Sequence, residues 1–201
     1  HFNPLLQGWE GATRSYAASG NPPPSVFGAL PTLGAGRVDS QPPLSNATTF
    51  VIAHFRPTIL NSTVVNLPGG QPAFRVITDP SNPLRTTYQD IRGRTFAYVD
   101  WGSNSRAVVE MPGLLARQSI RSWLRTSSRN TARQMEVRGM AYQWVPMDAY
   151  ICLYAQNQVV ARVSSRPDGV HVELSPLALQ YGLLEVCILC ATIFLSGRNI
   201  D

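Results

Sequence analysis

The amino-acid sequence predicts a mainly β fold with one apolar helix at its C-terminal end. About ten short β-type runs, separated by turn residues, lie between Thr48 and Leu174. An apolar segment of 21 residues then runs between Ser175 and Gly197. The length of 201 residues fits one ordinary domain with an extended tail. Hydrophobic residues make up 44% of the chain and charged residues 14%, which is too apolar for a disordered protein and too lightly charged for a solvated helical rod.

Residues 1–45 hold seven prolines and six glycines, without helical or alternating periodicity. Such a segment buries too little apolar surface to offset its ordering entropy, so it is expected to be a largely disordered tail. The domain proper is expected over residues 46–201. Its β-type runs are Thr48 to Phe55, Thr63 to Asn66, Ala73 to Thr78, Arg85 to Ile91, Arg94 to Trp101 and Arg106 to Met111. Gln134 to Arg138, Ala141 to Val145, Ala149 to Tyr154, Gln158 to Val163 and Val170 to Leu174 complete the series. Turn signals at Leu67-Pro68-Gly69-Gly70, Arg92-Gly93, Gly139 and Asp168-Gly169 separate them. Close spacing with no βαβ alternation predicts a barrel or a sandwich.

The C-terminal helix is expected over about 176–196. Ser175 suits the N-cap, Pro176 the first helical position and Gly197 the position after the C-cap. Tyr181, Glu185, Thr192 and Ser196 fall on a stripe about 60° wide at 100° per residue. Nearly all the remaining circumference is apolar, so the helix either spans a membrane or is enclosed by protein. Glu185 near its middle would cost about 2.5–3.5 kcal/mol on insertion. Enclosure by the sheet is therefore the favoured reading, and no transmembrane span is expected.

All 17 basic residues are arginines. The absence of lysine excludes a Schiff-base lysine, a P-loop lysine and a kinase-type ATP lysine. Cys187 and Cys190 form a C-x-x-C pair, but inside the apolar run Val186 to Ala191. With Cys152 they read as core cysteines rather than as a redox or metal site. His54 and His171 lie in alternating patterns typical of structural histidines. No G-x-S-x-G, H-E-x-x-H or glycine-rich phosphate motif is present, and Asp90, Asp100 and Glu110 are scattered over different strands. No enzyme, cofactor or metal is expected. Asn46-Ala47-Thr48 and Asn61-Ser62-Thr63 match the N-glycosylation triplet and are read as incidental. The chain opens on His1 rather than Met, which suggests a fragment or a processed chain, and no signal-peptide pattern is seen.

The most unusual pattern is an arginine series. Arg117, Arg121, Arg125, Arg129 and Arg133 recur every fourth residue, followed by Arg138. Residues 114–139 hold six arginines against one acid, Glu136, and so carry the whole formal charge of +5. If helical, the first three would share a face, but Ser127-Ser128 and Asn130-Thr131 argue for a loop instead. Two readings follow. One is an anion-binding patch for lipid headgroups or nucleic acid, with Trp123 as an interfacial anchor or stacking surface. The other is a solvated loop with Trp123 and Leu124 turned into the core.

Several weak motifs occur in an order that resembles a known family. They are Thr49-Phe50-Val51, Phe74-Arg75-Val76-Ile77-Thr78, Thr95 to Trp101 (TFAYVDW), and Met135 to Trp144 (MEVRGMAYQW). Val160-Ala161-Arg162 and the apolar C-terminus complete the order, and Gly139-x-x-Tyr142-x-Trp144 is its most specific part. Over roughly Thr48 to Ser196 the chain resembles an uncharacterised domain family of mushroom-forming fungi, domain of unknown function 6593. It is also similar to the wider tubby-like group, which includes phospholipid scramblases and plant LURP-one-related proteins. The resemblance implies a closed barrel of roughly 10–12 antiparallel strands around a buried C-terminal helix. Some members of that group bind phosphoinositides through basic residues, but no site transfers here position by position. The expectation is a binding module for anionic membrane lipid or another anionic ligand, in the cytoplasm or peripherally on a membrane. The alternative is a structural or protein-interaction domain. Nucleic acid is disfavoured as a partner, and an unrecognised enzyme with a pocket at Tyr142, Trp144 or His171 is the third reading.

Overall fold

The computed structural model describes residues 44–55, 57–67, 69–102, 107–128, 131–147 and 149–200. The tail expected over 1–45 lies outside the described residues except for its last two positions, and Arg129 lies outside them as well.

Among the described residues thirteen strands form one antiparallel sheet. In chain order they are β1 (Thr48–Ala53), β2 (Ser62–Leu67), β3 (Gln71–Thr78), β4 (Arg85–Asp90), β5 (Thr95–Asp100), β6 (Val108–Met111) and β7 (Leu115–Ser119). After the single-turn helix α1 (Ile120–Trp123) come β8 (Arg125–Thr126), β9 (Arg133–Val137), β10 (Met140–Pro146), β11 (Ile151–Ala155), β12 (Gln158–Arg166) and β13 (Gly169–Leu174). Two further helices, α2 (Pro176–Gln180) and α3 (Leu184–Leu195), end the fold. The sequence runs coincide with β1–β6 and β9–β13. Strands β7 and β8 were not foreseen, because both lie in the arginine-rich stretch read as loop or helix.

The strand order is β7-β6-β5-β4-β3-β2-β1-β13-β12-β11-β10-β9-β8. Every neighbouring pair is also consecutive in sequence except β1 and β13, which pair from Thr48↔Leu174 to Ile52↔Val170. Alternation sorts the side chains by face. On β3, Phe74, Val76 and Thr78 are buried while Arg75 and Ile77 are exposed. On β9, Arg133, Met135 and Val137 are buried while Gln134 and Glu136 are exposed.

Helix α3 packs against both arms of the sheet. The Tyr88 hydroxyl of β4 meets Thr192 Oγ1 at 2.7 Å. On the other arm, Phe194 makes an edge-on ring contact with Trp144 of β10, with centroids 5.5 Å apart. Cys190 Sγ lies 3.9 Å from Met135 Sδ of β9. One helix can touch β4 on one side and β9 and β10 on the other only if the sheet curls around it. All residues from Val186 to Leu195 are buried, so a helix apolar all round has protein all round.

Two expectations are corrected. The sheet is not closed into a barrel: β7 and β8 end the ladder and do not pair with each other. Instead they are consecutive in the chain and joined through α1, so the two open edges are tethered covalently. The C-terminal helix is also two helices rather than one over 176–196. Gly182 takes a φ of 67°, its N–H donates to the Leu179 carbonyl at 3.0 Å, and the Leu183 N–H donates to the Ala178 carbonyl at 3.0 Å. These two bonds close a Schellman motif, which stops α2 after its five residues and lets α3 start separately. The N-cap expectation holds, with Ser175 Oγ accepting from the Ala178 N–H at 3.2 Å.

The Tyr88–Thr192 contact has a fixed polarity. Thr192 Oγ1 donates to the Leu189 carbonyl at 2.8 Å, so the Tyr88 hydroxyl is the donor in the bond between them. Burial, the largest influence, pushes the Tyr88 hydroxyl above its ordinary pKa. Thr192→Val keeps the shape and strands the phenol. The expected loss is about 1–3 kcal/mol, read as a lower urea midpoint with an unchanged slope. An unshifted midpoint would show that the bond contributes nothing net.

Candidate functional site

The arginine series does not fold as one element. Arg117 lies on strand β7, Arg121 on helix α1, Arg125 on strand β8, Arg133 on β9 and Arg138 in the turn before β10. A spacing of four residues aligns side chains only along a continuous helix. Here the secondary structure changes twice between Arg117 and Arg125, so the series is dispersed.

Each arginine then meets different surroundings. Arg117 reaches Glu110 on the adjoining strand β6 at 3.8 Å and Asp100 on β5, one strand further, at 2.6 Å. Arg133 points inward, is 2% exposed, and donates from Nη1 to the Leu124 carbonyl at 3.0 Å. Arg138 donates from Nη1 to the Tyr181 carbonyl at 3.0 Å and so completes the C-terminal end of α2. Trp123 is buried under α1 beside Leu115, Val137 and Val186, and presents no ring to solvent. Its Nε1 has no hydrogen-bond partner among the described residues. Arg129 lies outside the described residues. Arg121 and Arg125 remain: both are exposed, and neither forms an ion pair among the described residues.

Arg125 stands at the edge of a polar groove on the outer face of β8–β11. The register places Arg125 opposite Gln134, Gln134 opposite Gln143, and Gln143 opposite Tyr154, one row across four strands. In the next row Glu136 faces Ala141, whose small side chain leaves the hollow. Asn157, in the turn between β11 and β12, closes one side, and the groove encloses about 270 Å³. The lining is mostly amide and hydroxyl, with one cation and one anion, which suits hydrogen bonding to a polar ligand rather than proton abstraction. Sequence reasoning missed Gln134, Gln143 and Tyr154. The signal was present, because strands 134–138 and 141–145 were recognised and alternation puts these polar side chains outside.

Several other titratable groups have structural partners or are buried. On the central strands Arg162 Nη2 binds Glu173 Oε2 at 2.5 Å, Arg166 Nη2 lies 3.3 Å from Glu173 Oε1, and Tyr150 stacks under the Arg162 guanidinium at 4.8 Å. Burial pushes the neighbouring Cys152 thiol up to about 11, with Arg162 opposing it. Cys187 and Cys190 are fully buried, and that burial raises both thiols, which disfavours the thiolate needed for exchange or metal binding. His171 is 6% exposed and its Nε2 meets Asp168 Oδ1 at 2.9 Å, a bond that lowers the Asp168 pKa. His54 departs from the strand expectation: it follows β1, is exposed, and has a φ of 56°. Asp100 and Glu110 converge on Arg117 rather than on an open cleft. Among the described residues no cluster of three or more His, Cys, Asp and Glu side chains is arranged to hold a metal ion. No described helix is long and apolar enough to cross a membrane.

No protein-family model matches the chain, and no curated protein matches it. Among solved structures, it is similar to an X-ray structure of a protein from Arabidopsis thaliana. The likeness has a TM-score of 0.46 at 12% identity and covers 73% of this chain and 91% of that one. At this level of likeness the function has to be argued from the residues of this chain.

Proposed function

We propose that the protein is a non-enzymatic, tubby-like binding module that takes an anionic ligand, such as a phospholipid headgroup, at the groove bordered by Arg125. The observation that carries this reading is the pair Arg121 and Arg125. Both are exposed. Among the described residues they form no ion pair and, unlike Arg138, which is also exposed, neither gives its guanidinium to a carbonyl; Arg125 borders a hydrogen-bonding groove. The helix enclosed by a curled but open antiparallel sheet supports the tubby-like part of this reading. Arginine suits the role, because its planar fork stays charged and pairs with phosphate oxygens two at a time.

The test is flotation with phosphatidylcholine vesicles, with and without phosphatidylserine, at two salt concentrations. The native chain is expected to bind the anionic vesicles and to lose binding as salt rises. Each arginine near an anionic surface contributes about 1 kcal/mol, so Arg121→Glu with Arg125→Glu is expected to weaken binding by about tenfold or more. Absent or salt-insensitive binding overturns the lipid reading. A protein-interaction role rests on a different feature, the unpaired edges of β7 and β8, which expose backbone donors and acceptors to an incoming strand.

A further inference from the structure

A second hollow lies on the outer face of β1–β3, at the opposite arm of the sheet from Arg125. Ala53 pairs with Thr63, and Thr63 pairs with Arg75, so these three side chains share a row on that face. His54 and Asn61 flank the row, Ile77 forms an apolar shoulder, and the hollow encloses about 560 Å³ open to solvent.

The polar residues that line it can supply donors. Arg75 is exposed and forms no ion pair among the described residues. The Asn61 carbonyl oxygen is occupied, accepting from the Thr78 N–H at 2.9 Å, which leaves the amide N–H groups to donate. Thr63 and His54 also line the hollow, His54 with a left-handed backbone of φ 56°. Among the described residues no carboxylate lines the hollow. This sets Arg75 apart from Arg94, Arg117 and Arg162, each of which has an acid within 3.1 Å.

We propose that this hollow binds a phosphate monoester. A guanidinium fork takes two phosphate oxygens, and the Thr63 hydroxyl, Asn61 amide and His54 ring supply donors for the third. A single carboxylate would be satisfied by the fork alone and would leave the other donors idle. Ile77, 38% exposed on the same face of β3 as Arg75, offers a surface to the carbon skeleton of the ester. The site is separate from the groove at Arg125, and neither reading depends on the other.

The experiment is a chemical-shift titration of the isotopically labelled chain with inorganic phosphate and with inositol trisphosphate. It is paired with co-sedimentation on phosphatidylcholine vesicles that carry or lack a phosphatidylinositol monophosphate. Saturable shifts are expected at Thr63, Arg75 and His54 by roughly 10 mM ligand, the millimolar affinity of a small open site. Arg75→Gln is expected to weaken binding by about tenfold or more, with dispersion of the spectrum showing that the fold persists. Arg121→Glu with Arg125→Glu is expected to leave these shifts unchanged. Response to the soluble probes without retention on the vesicles identifies a free phosphate ester as the ligand, and retention on the phosphatidylinositol monophosphate vesicles identifies a lipid headgroup. No saturable response to any probe overturns the proposal, as does binding that Arg75→Gln leaves intact.

Discussion

Ile188→Arg is expected to leave the domain unfolded, whereas Leu184→Arg is expected to leave it folded and weakened. The two positions lie one turn apart on an apolar helix, and the sequence makes them look equivalent. The structure separates them. Ile188 is fully buried at the middle of α3, between the arm that brings Tyr88 to Thr192 and the arm that brings Trp144 to Phe194. A guanidinium there finds no buried acid among the described residues, a cost of about 3–5 kcal/mol for an unpaired buried charge. The lost packing of the isoleucine adds about 2 kcal/mol or more. Together these approach the whole stability of an ordinary domain, about 5–15 kcal/mol. Leu184 opens the first turn and is half-buried, so an arginine there can lay its methylenes on the surface and keep its head in water. Urea unfolding followed by tryptophan fluorescence distinguishes the two. A cooperative transition near the native midpoint for Ile188→Arg would sink the enclosed-helix account.

Gly169→Ala is the second substitution with a large expected effect, and it adds just one methyl group. Gly169 opens β13 with a φ of 147°, a conformation that side chains rarely adopt. A Cβ at this position would overlap the carbonyl oxygen of Ile52 and approach Val51 Cγ1 to 2.9 Å. Both obstacles belong to β1, the strand that β13 must pair with to join the two arms. Strain at the backbone and overpacking each cost about 1–3 kcal/mol, so a loss of about 3 kcal/mol is expected. Amide exchange should show the weakening first at the β1–β13 pairing, with the outer strands protected for longer. A native midpoint and native exchange at Ile52 and Val172 would refute the close-approach argument.

Much of the fold was legible because its signals are local. Alternation of apolar and polar residues located β3 and β9, and cap residues located the start at Pro176. Strand β7 escaped notice because Leu115-Ala116-Arg117-Gln118-Ser119 has no β-branched residue and keeps a half-exposed edge position. The break at Gly182 was missed because Gly197 offered a second, equally good stop and the apolar run continues through both. The candidate site was less legible, for a physical reason. Arg117, Arg133 and Arg138 are drawn off by Asp100, the Leu124 carbonyl and the Tyr181 carbonyl, which lie from 9 to 43 residues away in the chain. Charge counted along a sequence does not show which partners the fold brings to it. Arg75 makes the same point in reverse, since a single arginine on a strand draws no notice until its neighbours prove to be donors.

The order of the strands carries a consequence for how the chain reaches this structure. Strands β1 to β7 form one run of hairpin-like neighbours and β8 to β13 form another, and of all the ladders only β1 with β13 joins residues far apart in sequence. Pairing between sequence neighbours closes short loops and is fast, whereas the single distant pairing bears nearly all the loop-closure entropy. Helix α3 follows β13 in the chain and rests on both runs. The kinetic barrier of the whole domain is thereby concentrated in one zipper at its centre.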